Sequence, residues 1–382
     1  MNRFCVTLLL MIFRLNPGSG QTADSVKAVP VDRSVIPWPE YGAFQEFSKN
    51  DSATAGSFSI RLRSTGFFKN NEYQNDFVTG YTLVGINFEP VLEYHADARA
   101  TLRGGAHFLK YSGRDNFDRI LPVLSLQYDQ SDHFRFIIGT LYGTASHGLP
   151  EPVFDFENYL INNYENGLQL LFKYPYFRGD IWLNWEQFLK KGDPFQEKFT
   201  TGINTLFRMA GSDHFRLTAP FSAIFRHQGG EIDDTNLPAS TRMNLSEGLR
   251  AEVIFGNGFF KSLWASQLYF QFQEINPGWQ VTVPYGNGSY SRIGLITGIG
   301  SLEAGYWSSH NFISPHGMPL FQSVSQKDPE FYQPYREMLV LKYQYETNLT
   351  GYLRLAIRIE PYYHFDTRRI DHSWGVYLIF NR

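Results

Sequence analysis

The chain is poor in cysteine: Cys5 is its only one, and it lies in a segment that reads as a removable leader. A disulfide framework and a thiolate metal site are therefore both excluded. Charge is scarce as well. Asp, Glu, Lys and Arg make up 19% of residues, the net charge is −3, and no basic block stands out. A nucleic-acid partner is not expected from such a balance. The apolar run Phe4–Phe13 is too short to cross a bilayer as a helix. No glycine-rich phosphate cradle opens a helix, because Gly256-Asn257-Gly258 falls in a turn.

Aromatic residues, at 17%, and 33 glycines fill the composition instead, without the Ala, Leu, Glu and Lys excess of helical proteins. Arg3, the run Phe4–Phe13 and the small residues Gly18-Ser19-Gly20 read as an export signal over residues 1–20. Residues 21–55 carry Val29-Pro30, Ile36-Pro37 and Trp38-Pro39, which interrupt regular structure; this segment reads as a periplasmic arm.

From Gly56 onward the chain alternates with period two, the signature of strands. Over Leu92–Phe108, read as one strand, Leu92, Tyr94, Ala96, Ala98, Ala100 and Leu102 share one parity. Glu93, His95, Asp97, Arg99, Thr101 and Arg103 share the other. Leu353, Leu355, Ile357 and Ile359 likewise alternate with Arg354, Arg358 and Glu360. About sixteen such runs recur, many of ten residues or more, the length of a tilted strand crossing a bilayer. Short connections, such as Glu89-Pro90, Asp129–Asp132 and Gly211–Asp213, alternate with long ones at 143–164, 227–243, 275–288 and 311–334. Short turns on one side and long loops on the other are how outer-membrane barrels are built.

On these features residues 56–382 resemble the outer-membrane β-barrel proteins of Gram-negative bacteria, with the run Trp374–Phe380 similar to their closing strand. The fold implied is all-β, a transmembrane antiparallel barrel of 14 to 16 strands, about 16 in all, in the bacterial outer membrane. Asn381-Arg382 departs from the usual aromatic end.

With the apolar parity facing lipid, the charged residues point into the lumen. They include Arg61, Arg63, Glu93, Asp97, Arg99, Arg103, Arg226, Arg250, Glu252, Arg354, Arg358 and Glu360. Cations prevail, so an open lumen would favour anionic or zwitterionic solutes, while the same charges can instead form ion-pair ladders that stiffen the wall. The outer loops are unusually apolar. His147, Leu149, Phe154 and Phe156 in one, and Phe312, Met318 and Phe321 in the other, suit a constriction or a docking surface.

A passive diffusion channel is the leading expectation. A subunit of a larger outer-membrane assembly is second, with partners at loops 143–164 and 311–334 or arm 21–55. Outer-membrane lipid and lipopolysaccharide are the expected surroundings. A lipid hydrolase comes third: Ser308, His310 and Asn311 supply the residue types, but adjacent residues on a strand face opposite sides. No enzymatic activity, cofactor or metal is expected, and Glu231-Ile232-Asp233-Asp234 reads as a solvated acidic loop. The string SDHFR, at 131–135 and again at 212–216, reads as duplicated hairpin geometry.

Overall fold

A computed structural model describes residues 55–256, 258–276, 283–328 and 330–381. The signal, and the arm as far as residue 54, lie outside the described residues. Sixteen strands follow in order: β1 (Ser57–Glu72), β2 (Thr82–His95), β3 (Ala100–Tyr111), β4 (Arg119–Ser131), β5 (Phe134–Thr140), β6 (Asn166–Tyr174), β7 (Phe177–Gln187) and β8 (Lys198–Gly211) complete the first half. The second half holds β9 (Phe215–Gln228), β10 (Ser240–Ile254), β11 (Phe260–Glu274), β12 (Tyr285–Thr297), β13 (Gly300–His310), β14 (Tyr335–Asn348), β15 (Leu353–His364) and β16 (Arg369–Asn381). Each strand pairs antiparallel with its neighbours in sequence, and β16 returns to β1 to close the barrel. Closure is what lipid demands, since no water in the hydrocarbon core can satisfy an open edge.

Strand parity divides the wall as its chemistry requires. Ile60, Leu124 and Ile293 point outward and are exposed, while Arg63, Arg103 and Glu93 point inward and are buried. A cation on the lipid side would cost about 2–4 kcal/mol at the midplane.

Leu92–Phe108 is not one strand. A four-residue turn, Ala96–Arg99, divides it into β2 and β3, and Glu89-Pro90 lies inside β2 rather than in a turn. Asp97 makes the turn by accepting the N–H groups of Arg99 and Ala100 through Oδ1, at 2.6 and 2.7 Å. Asp97 and Arg99 are thus exposed turn residues, a correction to their expected place in the lumen. Both SDHFR copies are turns. Ser131 and Ser212 cap the N–H groups of His133 and His214, and β5 and β9 start at Phe134 and Phe215.

The long connections do not stay outside. After β5 the chain turns inward at Gly143, whose φ of 94° places a would-be Cβ 2.4 Å from the Asn163 carbonyl oxygen, so only glycine fits. It then forms a 3-10 turn (Thr144–His147) and a short helix, α1 (Glu157–Ile161). The connection 311–334 enters opposite it. Asp155 N–H donates to the His316 carbonyl and Met318 N–H to the Glu151 carbonyl, so the two segments clasp each other. Leu149, Phe154, Phe156, Phe312, Met318 and Phe321 are buried in one apolar core with Trp307, Tyr290 and Phe270 of the wall. Much of the lumen is therefore packed side chain rather than channel.

Candidate functional site

The inward charges form ladders before anything else. Arg61 and Arg103 share Glu93 at 3.3 and 3.2 Å, Arg63 meets Glu89 at 3.5 Å, and Arg216 meets Glu252 at 2.9 Å. Arg354 pairs with Glu346, Arg358 with Glu360, and Arg250 lies 4.0 Å from the ring centre of Trp264. The loops bring acids to the cations of the wall. Glu151 binds Lys342 and Arg358, and Glu157 binds Lys69 at 2.6 Å.

His147 is held on both sides. Its Nδ1 faces Asp180 Oδ2 at 2.8 Å, its Nε2 faces Glu165 Oε2 at 2.7 Å, and its ring stacks on Trp182 at 3.8 Å. Burial alone would lower its pKa, but the two carboxylates win and raise it to about 10. With both nitrogens donating, this imidazolium fixes the loop and has no lone pair left for base chemistry. Its contribution to stability is complete below the unfolded value of 6.5 and is lost as pH rises through about 10. Hydrogen exchange of residues 143–164 should therefore be flat below about pH 6.5, accelerate steadily from there to about pH 10 and level off above it, after correction for intrinsic rates. Exchange that does not change between pH 6.5 and 10 would contradict this pairing.

Next to it lies a cavity of about 550 Å3, within the size range of ligand sites. Its walls carry a second histidine in a different state. Thr200 on β8, Glu186 on β7 and Arg226 on β9 point into the lumen, and His316 reaches them from the far loop. Thr200 Oγ1 lies 2.8 Å from His316 Nε2 and donates to Glu186 Oε1 at 2.5 Å. Glu186 is also 3.5 Å from His316 and 3.7 Å from Arg226. Enclosure in the barrel, aided by Arg226 and opposed by Glu186, holds the His316 pKa below its usual value. Its imidazole is neutral at pH 7, with a hydroxyl in reach. A hydroxyl, a neutral imidazole, a carboxylate and a guanidinium around one cavity can perform acyl transfer.

Of these four, Arg226 and Glu186 carry charges that strand parity alone turns into the lumen; Thr200 and His316 have no place among the expected site residues. The one local signal for His316 is a polar residue between Pro315 and Gly317 in an otherwise apolar segment. The trio Ser308, His310 and Asn311 is not assembled. Among the described residues no hydrogen bond joins Ser308 to His310, and Asn311 accepts from Tyr332 instead. Asp233 caps the N–H of Thr235 at 2.7 Å, and no group of three or more His, Cys, Asp or Glu side chains among the described residues is placed to hold a metal ion.

Solved structures share the architecture. The outer membrane protein OprD from Pseudomonas aeruginosa is similar with a TM-score of 0.52 at 8% identity, covering 88% of this chain and 97% of its own. OprB of Pseudomonas putida gives 0.51 at 9% identity over 85% and 94%, and OpdL of Pseudomonas aeruginosa gives 0.50 at 12% over 85% and 98%. At these identities the likeness shows the fold, a bacterial outer-membrane barrel. No curated protein matches the chain by sequence. The family model that does match, over residues 50–382, is described as lipid A 3'-O-deacylase-type. That match overturns the expectation of a barrel without enzymatic activity. Local spacing was a poor guide because separate strands and loops supply the acid–base groups gathered in the lumen. The chain is an outer-membrane β-barrel of the bacterial outer membrane and belongs to the lipid A 3'-O-deacylase-type family.

Proposed function

We propose that the protein hydrolyses an ester-linked acyl chain of lipid A in the lumen cavity. The observation that carries this reading is the Thr200 hydroxyl, 2.8 Å from the neutral His316 imidazole and open to a cavity of about 550 Å3. The Thr200 hydroxyl turns its proton from Glu186 Oε1 to the lone pair of His316 Nε2, in the tautomer protonated at Nδ1. Oγ1 attacks the ester carbonyl carbon as that proton passes to Nε2. Arg226 faces the oxyanion that forms. On collapse the sugar oxygen leaves with the proton from His316, and the acyl group stays on Thr200. A water molecule, deprotonated by the same nitrogen, then releases the fatty acid and restores the hydroxyl. Glu186 holds the Thr200 hydroxyl in place and balances the imidazolium between the two steps.

The test is mass spectrometry of lipid A after incubation with the purified barrel in mild detergent. The expected product lacks one ester-linked acyl chain and keeps every amide-linked one. Unchanged lipid A, with the barrel shown to be folded, would remove this reading.

A further inference from the structure

The barrel wall is not of even height. β5 and β6 hold 7 and 9 residues, while β4 and β7 beside them hold 13 and 11. β4 pairs with β3 from Arg119 to Tyr128, yet it pairs with β5 only from Ser125 onward. Residues 119–124 therefore face a gap, about 20 Å tall at roughly 3.3 Å per residue. Across it, β7 continues through residues 185–187 beyond Asn184, its last partner on β6.

An open edge in hydrocarbon is costly, and this one is adapted to it. Pro122 has no N–H to leave unpaired. The Leu124 N–H donates to Thr140 Oγ1 at 3.0 Å, and the Pro122 carbonyl accepts the Tyr164 hydroxyl. Arg119 donates to Asn162 Oδ1 at 2.6 Å. Side chains close the gap where a backbone ladder closes the rest of the wall, and side chains can move without breaking the sheet. Ile120 and Leu124, on the outer face of the same edge, are 59% and 65% exposed, as residues against hydrocarbon should be.

A hollow lies on each side of the gap. Inside, Arg119, Leu121, Tyr164, Asn184 and Glu186 line the lumen cavity that also holds His316. Outside, a hollow of about 530 Å3 runs over Leu92, Leu102, Leu124, Leu126, Ile138 and Gly139. Gly139 marks the floor of the gap, where a Cβ would lie 2.2 Å from the Leu124 carbonyl oxygen.

We propose that this gap between β4 and β7 is a lateral portal, through which an acyl chain of an outer-leaflet lipid passes from the bilayer into the lumen cavity. Tyr164 and the Arg119–Asn162 pair are its latch. A chain taking this path leaves the bilayer over Ile120 and Leu124 and enters the cavity past Leu121, whereas one lifted through the extracellular mouth would cross water. The inference rests on the hydrolase reading for the fate of the chain, but the path can be tested without hydrolysis.

In a Cys5→Ser chain, Leu121→Cys and Tyr164→Cys are bridged by a short bis-thiosulfonate reagent that thiol reductant removes. The barrel is placed in phosphatidylethanolamine vesicles whose acyl chains end in a diazirine, and cross-links are mapped after photolysis. The unbridged protein should cross-link at Leu149 and Ile224 in the lumen. Bridging should cut that yield at least tenfold, reductant should restore it, and cross-links at the outward Ile138 should stay constant. Tyr164→Phe, which loses only the hydroxyl latch, should raise the lumen yield. Lumen cross-links that are absent, or indifferent to the bridge, overturn the portal. Lipid A deacylation that persists in the bridged form overturns it too and leaves the hydrolase reading standing. Bridge-sensitive cross-linking without any lipid A hydrolysis supports the portal and removes the hydrolase reading.

Discussion

A His316→Phe variant should deacylate lipid A about 10²–10⁴-fold more slowly than the wild type, the range a positioned general base contributes. Phenylalanine keeps an aromatic ring against Arg226 and Pro315 but offers nothing to take the Thr200 proton. The loss should fall on kcat rather than KM, because the cavity is otherwise unchanged. In the wild type the pH profile should rise with pH and have its midpoint below pH 6.5, since burial holds the His316 pKa under that value and the neutral imidazole is the working form. A plateau reached only above pH 7.5 would place the proton acceptor elsewhere. His147→Gln should behave differently. It disturbs the loop, and with it folding and exchange, without moving the acid limb of the surviving activity.

Glu151→Ala should have the largest effect on the packing of the lumen. Glu151 is 3% exposed, accepts from Arg358 at 2.7 Å and pairs with Lys342. Removing one member of a buried pair costs about 3–5 kcal/mol, because the charge left behind has neither partner nor water. Here the lower end applies. Arg358 keeps Glu360 at 2.6 Å and Lys342 keeps Glu303 at 3.7 Å. The loop should then undock while the barrel stays closed. Hydrogen exchange of residues 143–164 should speed up by about two orders of magnitude, taking 1.4 kcal/mol per tenfold, with β1–β16 unaffected. Planar-bilayer recordings should show a larger ion conductance than that of the wild type. Wild-type exchange in the variant would mean that the loop is held by its apolar side chains alone.

The architecture was legible because a barrel in lipid leaves little choice. Charged parity must face inward, apolar parity outward, and turns must recur where strands end. The one misread strand shows the limit of that logic. The register pairs His95 with Thr101 and Tyr94 with Leu102, leaving an odd number of residues, 96–100, between the last pair, so Leu92 and Tyr94 before the turn face the same side as Leu102 after it. The alternation passes through the turn as though nothing happened. No glycine or proline marks the place, and only Asp97 signals it.

The candidate site was far less legible. Thr200 and His316 are 116 positions apart and meet because the connection after β13 crosses the lumen to β8. No spacing rule links a wall residue to a loop that folds inward across a barrel. The apolar residues of both loops did show that these segments need burial, as Leu149, Phe154, Phe312 and Phe321 demand. They could not show that the lumen would receive them, or that the acids travelling with them, Glu151 and Glu157, would offset the cation excess of the wall. The shortness of β5 and β6 was hidden too. The mixed faces of residues 120–128 and the proline within them were its only trace in the sequence.

The central claim is that lipid A is deacylated by the Thr200 hydroxyl. Lipid A from cells making the wild type, Thr200→Ser or Thr200→Ala tests it most directly, with intact mass read for each and surface levels of the barrel matched. Loss of one ester-linked chain in the wild type, loss with Thr200→Ser, and intact lipid A with Thr200→Ala is the predicted result. Equal deacylation by Thr200→Ala and the wild type would contradict it.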